Sequence, residues 1–376
     1  MRVRIVSIGD IDDAMVSRWN AWASPGGRLV SPYLRFEFTR CIARVRDDVR
    51  IAVFEDAGQI IGFFPHHAAR EGVIRPIGAP MSDYQGIIAA PGQSFDLRAV
   101  LGSAGGSALV FDNWYGPLSD QAAPMRDIDG STIVDLAGGA DAYFAARKTE
   151  SPSHFRKTAR LHRNAERDHG PVRIQMGDPD GGLFEALSNW KQTQYRATGK
   201  LDVFAIDWVQ AALSDLRQAE GSEFGGMTAA LWFGDRLAAV EFGLVAGEVY
   251  HSWFPAYDPE LAKYSPGLLL MQGIFRHAAE RGIERVDLGA GSAHYKKYYR
   301  SYDVPLGQGR VLGRGLAALG IRSWEMTESA ARIMPGKLGE IPARLRRRWA
   351  QASAFESGLP PRLASMARAL TLYKGQ

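Results

Sequence analysis

The chain has 376 residues, 46% of them hydrophobic, with a formal net charge of +4 at pH 7 and a pI near 9.1. This length and composition exclude a small stapled domain and predict an ordinary globular protein, organised as two domains or as one doubled fold. The mildly basic charge permits anionic ligands but does not require them.

Cys41 is the only cysteine, which excludes an intrachain disulfide and a thiolate metal cluster. The eight histidines show no H-x-x-x-H or H-E-x-x-H spacing, so the sequence predicts no metal site. There is also no Walker A loop and no G-x-S-x-G elbow. The N-terminus lacks the apolar region of a signal peptide and no apolar run is long enough to span a membrane, which predicts a cytoplasmic protein.

The first part of the chain predicts a strand, two helices and several further strands. Residues 2–8 alternate like an edge strand, Asp10 or Asp12 is placed to cap a helix, and Ser31-Pro32 opens a second helix. Residues 50–55 and 59–65 form two apolar runs across Asp56-Ala57-Gly58, which predicts a hairpin. Strands at 73–77, 86–89 and 108–114 and a helix near 94–103 complete this unit.

The loop at residues 81–84 combines polar and aromatic side chains between these strands. Such a composition is typical of a cleft wall, so Asp83 and Tyr84 are candidate substrate-binding residues. The alternative is a simple connector with no role in binding.

A strand at residues 132–135 is expected to cross into a second half, and from Asp141 the chain becomes helical. The cations Arg156, Arg160, Arg163 and Arg167 recur at offsets that place them on one helical face. Four guanidinium groups on one stripe repel one another, which favours an anionic partner. Arg156 and Arg160 are therefore candidate substrate-binding residues, with a merely solvated face as the alternative.

The second half repeats the order of the first. Residues 183–197 and 206–219 predict two helices, residues 226–233 and 236–245 form a hairpin across Gly234-Asp235, and residues 248–255 add a strand. Residues 257–264 are expected to be a loop. There is no strict sequence repeat, so the duplication is inferred from element order alone.

The stretch from Ser265 to Arg300 is the most informative part of the chain. Pro266 opens a predicted helix that ends near Arg281, and the amides at its start are placed to receive a phosphate. A buried strand at 283–288 then delivers Asp287 to the turn Gly289-Ala290-Gly291. This turn matches half of a dinucleotide fingerprint, but its last position is His294, which disfavours a nucleotide-binding or methyltransferase domain.

After Val311 the sequence becomes basic and is interrupted by Pro and Gly. Arg344, Arg346, Arg347 and Arg348 cluster next to Trp349. Such a tail is suited to packing on its own protein, to a membrane surface or to a partner protein.

The second hairpin, the SPGLLL turn, the DLGAG turn and Tyr295-Lys296 together resemble the GNAT-superfamily acetyltransferases, in particular the CelD/BcsL-like group associated with cellulose or exopolysaccharide biosynthesis. The order of elements is also similar to that of the Fem-type aminoacyltransferases. The resemblance covers about residues 1–310 and implies an α+β fold of two tandem GNAT-like halves, with mixed, mostly antiparallel central sheets flanked by helices and a helical basic C-terminal tail. The implied domains are residues 1–135, without a donor site, residues 136–310, the acyltransferase half, and residues 311–376, the tail.

The resemblance implies acetyl-CoA or another acyl-CoA as co-substrate and no metal. Its pyrophosphate is expected at the cofactor-binding residues of the helix start, namely Lys263, Ser265, Gly267 and Leu268. Candidate general bases are Glu241, Asp287 and His251, of which His251 also counts as a substrate-binding candidate. Each has a structural alternative: Glu241 as an ion-pair partner, Asp287 as the cap of the glycine turn, and His251 as a satisfied strand histidine.

Tyr295 is the candidate proton donor to the departing thiolate, and Lys296 matches a lysine that holds charge on the acyl donor. The alternatives are a core tyrosine and a surface lysine.

The implied function is N-acyl transfer to an amine acceptor, such as an amino sugar or a precursor for surface polysaccharide. The alternatives are aminoacyl transfer from charged tRNA and a non-catalytic partner of a polysaccharide synthase. A saccharide or other small molecule is expected as acceptor, the tail permits a peripheral membrane or synthase contact, and no DNA is expected.

Overall fold

The computed structural model describes residues 1–23, 31–116, 126–127, 130–198, 201–219, 223–331, 341–355 and 362–363. Its first elements follow the predicted order and are β1 (Arg2–Val6), α1 (Asp13–Trp22), α2 (Phe36–Val45), β2 (Val49–Asp56), β3 (Gln59–Arg70), β4 (Val73–Pro76), β5 (Ile88–Ala89), α3 (Arg98–Ser103) and β6 (Ala108–Trp114).

Local sequence explains the helix starts in this part. The Asp12 side chain accepts a hydrogen bond from Met15 N–H at 2.8 Å and caps α1. The predicted helix from Ser31 is interrupted, because Arg35 has an extended backbone (φ −71°, ψ 147°) that separates a 3₁₀ turn at Pro32–Leu34 from α2. Proline at the first position favours the short turn, and a new helix begins at Phe36.

The remaining elements are β7 (Arg126–Asp127), β8 (Ser131–Asp135), α4 (Ala140–Glu150), α5 (Pro152–His169), β9 (Val172–Met176), α6 (Gly182–Thr198), α7 (Asp207–Gln218), β10 (Phe224–Phe233), β11 (Arg236–Ala246), β12 (Val249–Tyr257), α8 (Pro266–Glu280), β13 (Arg285–Asp287), β14 (Tyr302–Val304), β15 (Gly307–Leu312), α9 (Leu316–Ala331) and α10 (Ile341–Phe355). The expectation of a loop at residues 257–264 was wrong in part, because Pro259–Tyr264 forms a 3₁₀ helix capped by Asp258. Strands β7, β9, β14 and β15 were not predicted.

The two sheets share one strand order. Among the described residues, five strands of the first sheet run β1-β2-β3-β4-β6 and five of the second run β9-β10-β11-β12-β13. In each set the first four strands pair antiparallel and the last two pair parallel. Helix pairs α1/α2 and α6/α7 follow the first strand of each set. The predicted α+β fold of two similar halves is therefore confirmed.

The halves exchange their next strands. β8, which follows the first half in sequence, pairs with β13 in the second sheet, whereas β15, which follows the second half, pairs with β6 in the first sheet. The second sheet is thus completed by a strand that follows the first half in sequence, and the first sheet by a strand that follows the second half. The domain boundaries at residues 135 and 310 stay a prediction, but the strands beside them pair across the two halves.

The faces of the second sheet carry different neighbours. Ala239 and Val245 of β11 pack with α4, α5 and α8, whereas Val240, Phe242 and Leu244 pack with α6, α7 and the loop at residues 77–84 of the first half. Side chains alternate across a strand, which assigns the residues of β11, and those of β12 up to Ser252, to the α8 face or to the first-half face; at Trp253 the register shifts, and Trp253 and Phe254 both pack on the first-half face.

The tail is helical in its described part and packs on both halves, with Phe355 of α10 stacked on Trp208 of α7 at 6.0 Å between ring centroids. Arg362 is buried and donates to both carboxylate oxygens of Glu71, at 2.8 and 3.0 Å, and Arg346 pairs with Glu328. The side chains of Arg344, Arg347 and Arg348 lie outside the described residues. No helix within the described ranges is long and apolar enough to cross a membrane.

The strand exchange predicts that a late strand stabilises the early half. Val311 on β15 is 1% exposed in the core of the first sheet, so Val311→Asp buries an unpaired carboxylate. We expect a loss of roughly 3 kcal/mol in the free energy of unfolding, measured by urea denaturation. Hydrogen exchange should accelerate in β6, its neighbour.

The matched control is Gln308→Ser on the same strand, where the side chain is exposed. We expect a change within about 0.5 kcal/mol. Faster exchange confined to the second sheet would contradict the pairing of β15 with the first half.

Candidate active site

A gap opens in the second sheet between β12 and β13. Their parallel pairing ends at His251 and Asp287, whereas β12 continues to Tyr257. The chain after Asp287 turns away, because Gly289 (φ 76°) and Gly291 (φ 101°) adopt left-handed backbone that favours glycine. In the described part of the chain, the edge of β12 from Ser252 onward therefore has no strand beside it on that side.

The start of α8 lies at one end of this gap. Ser265 adopts a left-handed conformation (φ 52°, ψ 54°) and Pro266 is the first helical residue. A side chain at Gly267 would meet only the Tyr257 ring, at 3.8 Å, so the space beside the Cα of this residue is open. The predicted donor-binding residues thus cluster around one helix end.

The amides of this helix end are not all available. Leu268 N–H donates to Ser265 O at 3.0 Å, and Ser265 N–H donates to Ala262 O at 3.0 Å. Lys263 is exposed, with its Nζ 4.7 Å from the centre of the Tyr264 ring. Gly267 is therefore the predicted position with both an amide near the positive end of the dipole and free space before it.

The corresponding place in the first half is filled by the chain itself. Gln85 bridges to Trp114 beside β6: Gln85 N–H donates to Asn113 O at 2.9 Å, and Tyr115 N–H donates to Gln85 O at 2.7 Å. The Gln85 side chain also accepts from Asp112 N–H at 3.0 Å. This closure, together with the six-residue α3, supports the expectation that the donor site lies in the second half.

Three ionisable residues meet where the pairing of β12 and β13 ends. His251 is fully buried, with its Nε2 2.9 Å from Asp83 Oδ2 and its Nδ1 3.5 Å from Asp287 Oδ2. Asp83 comes from the first half, and the other two come from neighbouring strands of the second sheet. A contact between the halves therefore forms the cluster.

The two carboxylates decide the charge of the imidazole. Burial by itself would lower the pKa of His251, but Asp287 and Asp83 outweigh it and raise the pKa to about 9. Burial would likewise raise the pKa of Asp287, yet His251 and the hydrogen bonds to its carboxylate hold that pKa below the usual value. At neutral pH the cluster is an imidazolium between two carboxylates.

Asp287 is held too completely to act as a free base. Its Oδ1 accepts hydrogen bonds from Ser131 Oγ and from Gly289 N–H, the latter at 2.8 Å. The geometry thus matches the alternative in which Asp287 caps the glycine turn. Ser131 carried no signal in the sequence, because only the pairing of β8 with β13 brings it here.

Two buried tyrosines surround the imidazole. The rings of Tyr33 and Tyr84 stand edge-on to His251, with centroid distances of 5.0 and 6.1 Å. The Tyr33 hydroxyl has no hydrogen-bond partner among the described residues. Burial, followed by the charges of Asp83 and Asp287, raises its pKa well above the usual value. Tyr33 was not singled out in the sequence, where it is one aromatic residue in a predicted helix.

Glu241 lies on the α8 face of the sheet. It is buried, accepts a hydrogen bond from Tyr250 Oη at 2.8 Å, and burial raises its pKa. Gly243 leaves room for the Tyr250 ring, since a Cβ there would lie 2.4 Å from the ring. Burial, followed by the charge of Glu241, raises the pKa of Tyr295 to about 12, so Tyr295 is protonated at neutral pH.

Lys296 is buried, so the alternative of a surface lysine is wrong. Its Nζ donates to Gly289 O at 2.7 Å and to Ala290 O at 2.9 Å. The ammonium group therefore holds the turn that follows Asp287. The sequence did not predict this contact, because Lys296 and Gly289 are seven residues apart and only the folded turn brings them together.

The structure brings together four of the predicted residues, Asp83, Tyr84, His251 and Asp287, with Lys296 on the adjoining turn, but it does not bring Arg156 and Arg160 to this cluster. Arg156 and Arg160 are exposed on α5, which packs on the α8 face, whereas Asp83 approaches from the first-half face. Within the described residues, Arg156 and Arg160 form no salt bridge. Nor does any group of three His, Cys, Asp or Glu side chains in the described part stand where it could hold a metal ion.

Residues 153–297 match the family model described as acetyltransferase (GNAT) domain. This GNAT-like segment contains β9 to β13, α8, the gap and the turn after Asp287. No curated protein sequence matches the chain significantly.

Solved structures with low sequence identity share the fold. FemX matches over 83% of this chain and 97% of its own, with 11% identity and a TM-score of 0.52. A conserved protein of unknown function from Bacteroides thetaiotaomicron matches over 82% and 98%, with 10% identity and a TM-score of 0.50. A tandem GNAT protein from the clavulanic acid biosynthesis pathway matches over 84% and 99%, with 11% identity and a TM-score of 0.46. At these identities the likeness to the first two concerns the fold alone.

The raised pKa of His251 predicts a pH-dependent stability. Its folded pKa of about 9 lies above the unfolded value near 6.5, so the stabilisation is complete below pH 6.5 and is lost as pH rises to about 9. We expect wild type to have a larger free energy of unfolding than His251→Gln. The difference between the two should fall by about 3 kcal/mol across this window. Urea denaturation at pH 6, 7.5 and 9 measures it.

His277→Gln is the matched control, since burial lowers the pKa of that histidine. Its difference from wild type should not decline over the same window. A difference for His251→Gln that grows with pH would contradict the imidazolium assignment.

Proposed function

We propose that this protein is an N-acyltransferase that moves an acyl group from acyl-CoA to an amine. The observation that carries the proposal is the gap between β12 and β13, with the open start of α8 at its end, inside the GNAT-like segment. An extended acyl-pantetheine chain can lie along an unpaired strand edge, and a pyrophosphate can lie at a helix N-terminus.

The residues of the helix end fit the donor's anionic part. A side chain at Gly267 would meet only the Tyr257 ring, so there is free space at this residue, and Lys263 is an exposed cation four residues before it in sequence. The helix dipole adds a partial positive charge at the same place. Leu268 and Ser265 contribute by shaping the turn, because their amides are bonded within it.

The reaction needs a proton acceptor for the amine and a proton donor for the thiolate. The amine nitrogen forms a bond to the thioester carbon, the carbon–sulfur bond breaks, one proton leaves the nitrogen and one reaches the sulfur. We assign the first transfer to Glu241, directly or through one water, because its buried carboxylate has a raised pKa. Tyr295, protonated and close enough to feel the charge of Glu241, serves as the donor.

The finer assignment rests on the resemblance in sequence. We propose an amino sugar, or a related precursor of surface polysaccharide made in the cytoplasm, as the acceptor. The tail, with eleven Lys and Arg against four Asp and Glu in residues 311–376, is proposed as a contact to a synthase or a membrane surface. Aminoacyl transfer from tRNA is the second candidate, favoured by the exposed Arg156 and Arg160.

Donor binding is tested at Gly267. Gly267→Asp places a carboxylate where the pyrophosphate is proposed, and Gly267→Asn places a neutral group of the same size there. We expect wild type to bind CoA in calorimetry, Gly267→Asp to weaken binding at least about 10-fold, and Gly267→Asn to weaken it much less. An acidic residue near a helix start does not impair the helix, so loss of folding does not account for this result.

Equal binding by the two variants would contradict the donor site. If wild type binds no CoA but binds tRNA in a salt-sensitive manner, aminoacyl transfer becomes the better proposal.

The proton acceptor is tested by Glu241→Gln. The amide retains an oxygen for the Tyr250 hydroxyl but cannot accept the proton, so we expect kcat to fall by about 100-fold or more. The KM for acetyl-CoA should change little. The control is Glu280→Gln, an exposed glutamate on α8, for which kcat should remain at the wild-type value. An unchanged kcat in Glu241→Gln would show that another group takes the proton.

A further inference from the structure

We infer that Asp83 binds the ammonium group of the acceptor, and that His251 and Asp287 hold the Asp83 carboxylate in position. This inference rests on the proposed function and adds the acceptor side of the same site. The anchor comes from the first half, so the acceptor site is built by both halves.

Accessibility separates Asp83 from the other ionisable groups. Its side chain is 32% exposed, compared with 0% for His251 and 4% for Asp287. Glu241 is also buried and lies on the opposite face of the sheet, so it takes the proton of an amine at Asp83 through water in the gap between β12 and β13 and not by contact. An incoming acceptor must touch a group that solvent reaches, and Asp83 is the member of this cluster that meets this condition.

Charge selects the kind of acceptor. With His251 as an imidazolium, the two carboxylates leave the cluster with one net negative charge, and its open end is the Asp83 carboxylate. An ammonium group compensates this charge and donates hydrogen bonds to the carboxylate. Before it attacks the thioester it gives one proton to water through the exposed Asp83 side chain, and the neutral amine then loses the one proton assigned to Glu241. An acceptor that presents a carboxylate or phosphate here would be repelled.

A buried hydroxyl gives an independent sign of a ligand. Tyr33 is 0% exposed and its hydroxyl has no hydrogen-bond partner in the described part of the chain. The Tyr33 ring stands edge-on to the His251 imidazole, with 5.0 Å between the ring centroids, so Tyr33 belongs to the same buried cluster. Buried polar groups are nearly always satisfied, and a water that bridges this hydroxyl to an acceptor bound at the exposed Asp83 carboxylate would satisfy it.

The backbone keeps the space beside Asp83 open. A Cβ at Gly289 would lie 3.3 Å from Asp83 Oδ2, and the φ of 76° at Gly289 disfavours any other residue. The glycine turn after β13 therefore borders the carboxylate with bare backbone.

The loop that carries Asp83 is fixed on both sides. Ser82 Oγ donates to Ile77 O at 2.8 Å within the loop, and Trp253 Nε1 donates to Met81 O at 3.2 Å from β12. The His251 Nε2 contact then fixes the carboxylate itself. His251 is accordingly a positioning residue, because it acts on the acceptor through Asp83.

The test compares Asp83→Asn with wild type. Glucosamine and 1,5-diaminopentane are the amine probes, glucose is the probe without an amine, and thiol release from acetyl-CoA gives the rates. We expect wild type to acylate at least one amine and not glucose. In Asp83→Asn the KM of that amine should rise at least about 10-fold, with the KM of acetyl-CoA within about twofold.

Two further variants separate binding from structure. Asp83→Glu retains the charge and should recover part of the amine KM. His251→Leu should raise the KM of the amine more than it lowers kcat, and His251→Gln, which can still donate to Asp83, should recover part of that loss. The matched control is Asp235→Asn. Asp235 is exposed in the turn between β10 and β11, and its substitution should leave both KM values unchanged.

The outcomes distinguish this inference from the proposed function. Failure of wild type to bind acetyl-CoA would remove the proposed function itself. If acetyl-CoA binds but no amine is acylated, or if Asp83→Asn leaves the amine KM unchanged, the ammonium site is overturned while the donor site stands. An equal rise of KM for amine and acetyl-CoA would likewise overturn it.

Discussion

The end of the parallel pairing between β12 and β13 is the constraint on which the rest of the site depends. Up to His251 and Asp287 the strands satisfy each other's backbone groups, and beyond that point β13 turns away while β12 continues. A strand edge without a partner inside a protein is costly unless a ligand or water covers it. The two residues at the point of separation are also the two buried members of the ionisable cluster, so the position of the gap and the position of the charges are set together.

The duplication provides more than a second copy of the fold. Because β8 and β15 are exchanged, each sheet is completed by the other half, and the halves cannot be arranged independently. In the first half the place that corresponds to the gap is closed by Gln85, and the same stretch of chain carries Asp83 to the second half. One loop conformation therefore closes the gap in the first half and also brings the Asp83 carboxylate to the proposed acceptor site.

Burial of charge explains why so many hydrogen bonds converge on the glycine turn. A carboxylate out of water is unfavourable unless it is paired and hydrogen-bonded. Asp287 accepts hydrogen bonds from a hydroxyl and a backbone amide and forms an ion pair with the imidazolium of His251 at 3.5 Å. Lys296 is buried at the same turn, where its ammonium group donates hydrogen bonds to the carbonyls of Gly289 and Ala290. These groups stabilise a turn that the sequence alone makes flexible, and they keep the end of β13 in one position.

The sequence by itself determined the order of most elements, the doubled α+β fold and the helix after Pro266. These properties follow from local periodicity, from capping residues and from glycine and proline positions, which act over a few neighbours. It did not determine the strands β7, β9, β14 and β15, whose short or partly exposed runs have weak periodicity. Only the tertiary structure decided that Asp83 meets His251, that Ser131 reaches Asp287 and that Lys296 is buried. Those contacts join residues 168, 156 and 7 positions apart, and the strand exchange and the path of the backbone after Asp287 bring them together, which no local pattern encodes.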